Sequence, residues 1–454
     1  MFRRCAISFF LVPVFLLLAG MGAGARTRPH YGGTLHVEIA GDPWNGSDDL
    51  ARHLVLDGLT RLGSDGTVQP SLAVAWTAED FDHRWQFRLR GGVQFHDGSP
   101  LTAAAIVQSL NLSCNANCPW TAVHAVGFSV IFTGDSSMAN LPALLAEDEF
   151  RIALPEAAGG SASSAPIGTG PFRVNASSNG LLTLAANDGC WQGRPFLDTI
   201  EIRANRAVRD QWLDLSLGRA DVVEIPPEDL RQAQQQRLAI VQSPPVELLA
   251  LEISDSGALA NPMLRGSIAA AVDRGALFNV IFQKQGEITA GLLPEELTGY
   301  AFLFPTDRDL NKAHELRGGL ACPPLTLGFD GDGALELAAQ RIALNLREAG
   351  FDVQATPVKP AQRADLALRT LPLAGADPAS AIAIMLHAAG NTTSVADQSP
   401  VALFHAEHDF LDRKTLVPLL DLPRAYAKSP HVRDFALGAD GTPDLASASL
   451  EDAP

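Results

Sequence analysis

Positive charge is scarce in this 454-residue chain: 34 Lys and Arg stand against 51 Asp and Glu, a formal charge of −17. Nucleic acid and anionic membranes both demand a basic footprint, so neither is expected as a partner. The acidity suits a cationic ligand, and an ordinary soluble acidic surface explains it as well. Catalytic signatures are missing too. There is no Gly-x-Ser-x-Gly elbow, no His-Glu-x-x-His helix, no Walker loop and no internal repeat. Gly134-Asp135-Ser136-Ser137 lacks the strand-to-helix setting that a serine nucleophile needs. His405-Ala406-Glu407-His408 offers two metal ligands on a stretch that reads as solvated surface. Asp330-Gly331-Asp332-Gly333 lacks the third acidic position and the distal glutamate of a calcium loop, and reads as a turn. The sequence calls for no catalytic residue, no metal and no cofactor.

Cysteine is also rare. Of five, Cys5 sits in an N-terminal apolar run, and Cys190 and Cys322 lie too far apart in sequence to be paired with reason. Cys114 and Cys118 sit four apart in a turn-rich loop, where a small-loop disulfide is the sharper reading and free thiols the next. Zinc would need a second pair nearby, which the chain does not supply. Long hydrophobic runs are confined to the N-terminus. Arg3 and Arg4 precede an apolar stretch from Cys5 to Gly20, and Ala23-Gly24-Ala25 offers a cleavage site, so residues 1–25 read as a secretory signal. An uncleaved signal acting as an anchor is the alternative.

What is present describes an ordinary globular chain, 46% hydrophobic and 19% charged, long enough for about three domains. The most legible stretch is Gln69–Asn111. Trp85, Phe87 and Leu89 alternate with polar residues as a half-buried strand should. Gly91-Gly92 permits a turn into Val93 and Phe95, which predicts a hairpin. His96-Asp97-Gly98-Ser99-Pro100 is a second turn, and Thr102 can cap a helix with Ala103, Ile106, Val107 and Leu110 on its apolar positions. His96 reads as a structural hydrogen-bonding group. Further strands are expected at Leu35–Ile39, Phe128–Phe132, Phe150–Leu154, Phe172–Val174, Leu181–Ala185, Ile200–Arg203 and Leu248–Ile253. Leu325–Leu327, a helix over Ala334–Ala349 and Phe351–Val353 form a strand-helix-strand unit. Gly168-x-Gly170-Pro171 is a turn rather than a phosphate loop, because Pro171 removes a donor and no Lys-Ser/Thr pair follows.

Several of these segments together resemble the family 5 extracellular solute-binding proteins, the oligopeptide, dipeptide and nickel receptors of bacterial ABC importers. The residues are Pro70-x-Leu72-Ala73-x-x-Trp76, then Trp85-x-Phe87-x-Leu89-Arg90-x-Gly92-Val93-x-Phe95-His96-Asp97-Gly98, and Leu101-Thr102-Ala103. Gly168-Thr169-Gly170-Pro171-Phe172, Leu217-Gly218-Arg219-Ala220-Asp221 and the segment Asn261–Arg274 extend the likeness. It implies a two-lobed α/β periplasmic binding protein, type II-like, with an extra domain inserted in the first lobe and crossing strands between the lobes. The expected division is lobe 1 from 32–66, 165–247 and 415–454, an inserted domain from 67–164, and lobe 2 from 248–414. Relatives that are lipoproteins carry a cysteine after Leu-Ala-Gly. Here Leu18-Ala19-Gly20 is followed by Met21, so the expectation is a soluble, monomeric periplasmic protein.

The resemblance implies a peptide or other small-molecule ligand, held between lobes and delivered to permease subunits in the inner membrane. Asp42 and Trp44, in the loop after the first strand, are candidate ligand contacts. Near Leu368 the chain departs from the pattern. Relatives carry Trp-x-x-Asp-x-x-Asp-Pro, whose aspartate pairs with a peptide ammonium; here Leu371–Pro378 keeps only the final Asp377-Pro378. Asp377 and Asn391 complete the candidate set, and the helical segment before the last strand is expected to be nearly absent. Two other classes stay open: a degenerate member acting as a sensory or chaperone-like module, and a cryptic hydrolase.

Overall fold

The computed structural model describes residues 30–44, 50–63, 65–114, 118–155, 165–299, 303–331, 333–358, 364–373, 377–390 and 399–451. The segment read as a signal, residues 1–25, and Asn391 lie outside them. The chain opens with β1 (Thr34–Glu38), whose Leu35 and Val37 are buried, followed by α1 (Leu50–Val55) and the small antiparallel pair β2 (Thr60–Leu62) and β3 (Val68–Pro70).

An inserted sheet of order β4-β5-β7-β6 comes next, built from β4 (Ala73–Glu79), β5 (Arg84–Leu89), β6 (Ala122–Val126) and β7 (Ser129–Thr133). Helix α2 (Ala103–Ser113) covers it, with Thr102 Oγ1 accepting from Ala105 N at 3.2 Å as the N-cap. The hairpin expected between Trp85–Leu89 and Val93–Phe95 is not formed. β5 pairs instead with β4, Trp76 opposite Phe87, across a reversal in which Asp80, Phe81 and Asp82 all take positive φ. Val93 and Phe95 are spent on the tight turn below, where Phe95 N bonds Ser99 O and Leu101 N bonds Val93 O, and their side chains enter the core. Phe150–Leu154 is likewise not a strand: Phe150 closes a 3₁₀ turn, and only Ile152 bridges, to Asp57. Short α3 (Leu141–Leu144) sits just before it. Cys114 and Cys118 are bonded, while Cys190 and Cys322 are free thiols.

The chain then returns to the first lobe through β8 (Phe172–Ser178), β9 (Leu181–Ala186), β10 (Thr199–Arg203), α4 (Val208–Ser216), β11 (Val222–Glu224) and α5 (Leu230–Gln235). Strand β12 (Ala239–Ile253) leaves it, and β17 (Leu416–Lys428) comes back. Between them lie α6 (Pro262–Ala271), one-turn α7 (Arg274–Ala276), β13 (Glu287–Ile288), α8 (Glu295–Thr298), α9 (Leu310–Arg317), β14 (Leu325–Phe329), α10 (Ala334–Glu348), β15 (Val353–Pro357), β16 (Leu366–Pro372), α11 (Pro378–Ala388) and α12 (Pro400–Asp412). The last two correct an expectation, since a substantial helical segment does precede the final strand. Its apolar residues, among them Ile382, Met385, Leu403 and Phe410, form a core of their own with Leu371 and Leu416.

One large sheet runs β15-β14-β16-β12-β17-β11-β1-β10-β9-β8, so its middle strands belong to both lobes. The first half of β12 pairs with the last residues of β17, which in turn lie beside β11, while Glu247–Ile253 of β12 lies between β16 and Leu416–Leu422 of β17. The changeover falls at Ser243-Pro244-Pro245, opposite Pro423-Arg424, where the register shifts twice. Proline gives no ladder donor and a bulge bends the strand, so the β12–β17 ladder is interrupted at the crossing. Ser243 Oγ accepts from Arg424 N at 2.9 Å, and Glu247 takes Arg424 Nε at 2.7 Å, which keeps the two strands joined there.

Candidate functional site

The motif residues meet at one node between the first lobe and the inserted sheet. His96 N donates to Gly168 O at 2.9 Å. Its ring accepts at Nδ1 from Gly168 N (3.3 Å) and donates from Nε2 to Gly170 O (3.0 Å), which assigns the neutral tautomer. Burial lowers its pKa, in keeping with that assignment. Gly168 and Gly170 lie against the end of α1, where an added Cβ would stand 1.9 Å and 2.6 Å from the Val55 and Leu54 carbonyl oxygens. Buried Asp57 Oδ2 accepts from Thr169 Oγ1 at 2.7 Å and from Trp191 Nε1 at 2.8 Å. The Arg90 guanidinium lies 4.3 Å over the Trp191 ring, and Arg90 Nε donates to Ser71 O. Every donor and acceptor named here is used internally, which marks the node as scaffold.

The three expected ligand residues that lie among the described ones, Asp42, Trp44 and Asp377, are not gathered into one cavity. Asp42 is exposed, and its Oδ1 accepts from Trp44 N at 2.9 Å in an Asx turn. Trp44 packs half-buried against the first-lobe core. Asp377 stands elsewhere, at the start of α11, where its Oδ1 caps Ser380 N at 2.9 Å. It borders a cavity of about 550 Å³ whose other described walls are Pro378, Ala379 and Ile382 of α11, Leu403 and Phe404 of α12 with Pro400 and Val401, and Leu297 and Thr298 of α8. Apolar walls with one carboxylate at the rim suit a ligand that carries an apolar group beside a cationic or donor group. The cavity adjoins the seam between lobe 2 and the inserted domain, because Ala379 O also accepts from Asn140 Nδ2 at 3.2 Å.

A charged junction that sequence reasoning missed lies where α1 and the C-terminal segment meet the inserted domain. Asp148 receives His53 Nε2 at 3.0 Å and Arg151 Nε at 2.5 Å, Arg151 also donates to His53 Nδ1 at 2.8 Å, and Asp440 lies 3.7 Å from His53 Nε2. Burial alone would raise the Asp148 pKa, but His53 and the Arg151 guanidinium beside it outweigh that and hold the carboxylate well below its usual range. Next door, burial and the charges of Glu149 and Asp148 push Glu147 well above its usual value, and Glu147 Oε1 has no hydrogen-bond partner. Glu149 faces His387 of α11 at 3.2 Å. No motif spacing marks Glu147-Asp148-Glu149; the fold alone brings α1, this turn, the C-terminal segment and α11 together. On α12 His408 stacks on Phe404 and His405 meets the same ring edge-on, and buried Glu407 accepts from Leu292 N at 2.5 Å. Among the described residues no group of three could hold a metal.

The model for the middle region of the bacterial extracellular solute-binding proteins of family 5 matches residues 67–393. This chain belongs to that family. It is 25% identical over 409 residues to the probable di/tripeptide-binding protein 5 of Pseudomonas aeruginosa, covering 77% of this chain and 75% of the relative. It is also 25% identical over 372 residues to the probable D,D-dipeptide-binding periplasmic protein DdpA of Escherichia coli, covering 76% and 70%. Among solved structures, the oligopeptide-binding protein AppA of Bacillus subtilis in complex with a nonapeptide superposes with a TM-score of 0.77 at 18% identity, covering 94% of this chain and 100% of that one. NikA of Staphylococcus aureus with Ni(L-His)2 gives 0.77 at 15%, covering 92% and 100%. The family 5 relatives are binding proteins, and their two-lobed fold is the one described above. No helix among the described residues is long and apolar enough to cross a membrane.

Proposed function

We propose that this family 5 protein is a periplasmic receptor that takes up a small peptide-like solute and presents it, by hinged closure of its lobes, to the permease of an ABC importer. The observation that carries the reading is the Asp377 cavity. It is apolar, carboxylate-edged, and placed where lobe 2 meets the inserted domain. The bulged crossing at Ser243-Pro244-Pro245 supplies a hinge through which occupancy can change shape. Relatives named for dipeptides and tripeptides support the ligand class. We divide the molecule as the sequence suggests, into lobe 1 (32–66, 165–247, 415–454), the inserted domain (67–164) and lobe 2 (248–414), after a signal over residues 1–25. Asp377 is assigned to the ligand's amino group, with Asp42, Trp44 and Asn391 as further contacts.

The test is thermal unfolding against a panel of apolar dipeptides and tripeptides, free and N-acetylated. A ligand at a hundred times its Kd stabilises by about 2.7 kcal/mol. Free-amine peptides are expected to raise Tm and their acetylated forms to raise it far less. A panel in which nothing raises Tm removes the reading.

A further inference from the structure

We propose that a second cavity, between the Glu228-Asp229 turn of lobe 1 and the start of α10 in lobe 2, is a binding site for a small primary ammonium ion with an apolar body. The cavity measures about 470 Å³ and shares no wall residue with the one at Asp377. Pockets of this size take small molecules rather than single ions. Its apolar walls are Val280 and Ile281, from the π-turn Leu277–Ile281, and Ala334 and Leu337 of α10. Glu228 Oε1 is already used, accepting from Ala334 N at 3.1 Å. The Asp229 side chain is half-buried, caps nothing in α5, and has no hydrogen-bond or ion-pair partner among the described residues. Burial pushes its carboxyl above the ordinary value, as expected of a carboxylate set against apolar surface without a cation. Gln283 adds an amide to the rim, and Gln283 and Lys284 both hold positive φ, a strain that concentrates at ligand contacts.

The chemistry selects the occupant. A partly desolvated carboxylate gains most from a cation that donates hydrogen bonds to it. An anion is repelled by Asp229 and Glu228, and a neutral molecule leaves the carboxylate uncompensated. A quaternary ammonium has no N–H to donate and meets no aromatic side chain among the described walls. A primary ammonium can donate to Asp229 and to the Gln283 carbonyl while its apolar body lies on Val280, Ile281 and Leu337. Both walls are tied to the crossing strand β17. Ile225 N, just before the turn, donates to Ala425 O at 2.9 Å, and Ile288, beyond the π-turn, pairs with Leu420. An occupant therefore touches both lobes beside the hinge. The site stands whether or not the Asp377 cavity takes a peptide.

The experiment is methyl NMR on the full protein labelled at Ile, Leu and Val, titrated with n-butylammonium and, as controls, butyltrimethylammonium and butyrate. n-Butylammonium is expected to give saturable shifts at Val280, Ile281 and Leu337, and the controls none there. Asp229→Asn is expected to weaken that binding about tenfold or more, as loss of a charge-assisted hydrogen bond does. Leu337→Lys brings an ammonium of the chain's own into the cavity and abolishes the shifts at Val280 and Ile281; it reports alone if Asp229→Asn fails to fold. Shifts confined to Ile382 and Leu403 of the Asp377 cavity, equal affinity in wild type and folded Asp229→Asn, or equal binding of either control overturns the site.

Discussion

The stretch Gln69–Asn111 and the segment Leu366–Asp412 are two faces of one receptor. In the first, the matching motif residues are locked to one another: His96 to Gly168 and Gly170, and Arg90 to Trp191 and so to Asp57. In the second, the family pattern lapses, and the apolar residues of α11 and α12 enclose a cavity and meet another domain. The residues that best identify the family are thus those least free to bind anything. The cavity lies where the chain is loosest about its relatives' pattern, as expected if a scaffold is shared while a ligand differs.

That contrast is broken most severely at the scaffold. Gly168→Ala puts a methyl 1.9 Å from the Val55 carbonyl, a backbone that cannot step aside. It is expected to cost about 3 kcal/mol or more, read by urea unfolding. Asp57→Ala leaves Thr169 and Trp191 donors buried without a partner, at about 2–3 kcal/mol, with ligand affinity unchanged once the protein is folded. On the other side, Asp377→Ala removes the α11 cap at about 1 kcal/mol but abolishes measurable preference for a free amino group in calorimetry. If Asp57→Ala and Asp377→Ala lose affinity equally, the division between scaffold and site is wrong.

The charged seam sharpens the comparison by pH. Asp148 titrates lower folded than unfolded, so its contribution is complete above an unfolded pKa of about 3.9 and is lost as pH falls below it. Glu147 titrates higher when folded, so its contribution is complete below about pH 4.3 and is lost as pH rises through the raised value. Glu147→Gln is therefore expected to gain Tm relative to wild type as pH rises from acid to neutral, and a difference that stays flat with pH would contradict that sign. The smallest effect is at Asp42→Ala, where losing an exposed Asx turn should change stability by less than about 0.5 kcal/mol.

Period and turn chemistry made much of the fold legible. The Thr102 cap, the strand-helix-strand unit of β14, α10 and β15, and the alternating strands of the first lobe all follow from local pattern. The partner of Trp85–Leu89 did not, because pairing is decided by which neighbour can reverse, and the three positive-φ residues at Asp80–Asp82 carry no glycine to announce it. Asp377 stood out in the sequence as a candidate ligand residue, but its role as the cap of α11 did not. The Glu149–His387 contact, between residues 238 positions apart, and the seat of Ile384 beside Trp120, Phe132 and Phe150 were invisible in the sequence, since only the fold brings these segments together.

The most direct measurement is native mass spectrometry of the protein purified gently from the periplasm of its own cells. The account predicts one bound species of peptide-like mass per chain, retained by wild type and absent from Asp377→Ala. A wild-type protein that is empty, and that stays empty when offered free-amine peptides, would contradict it.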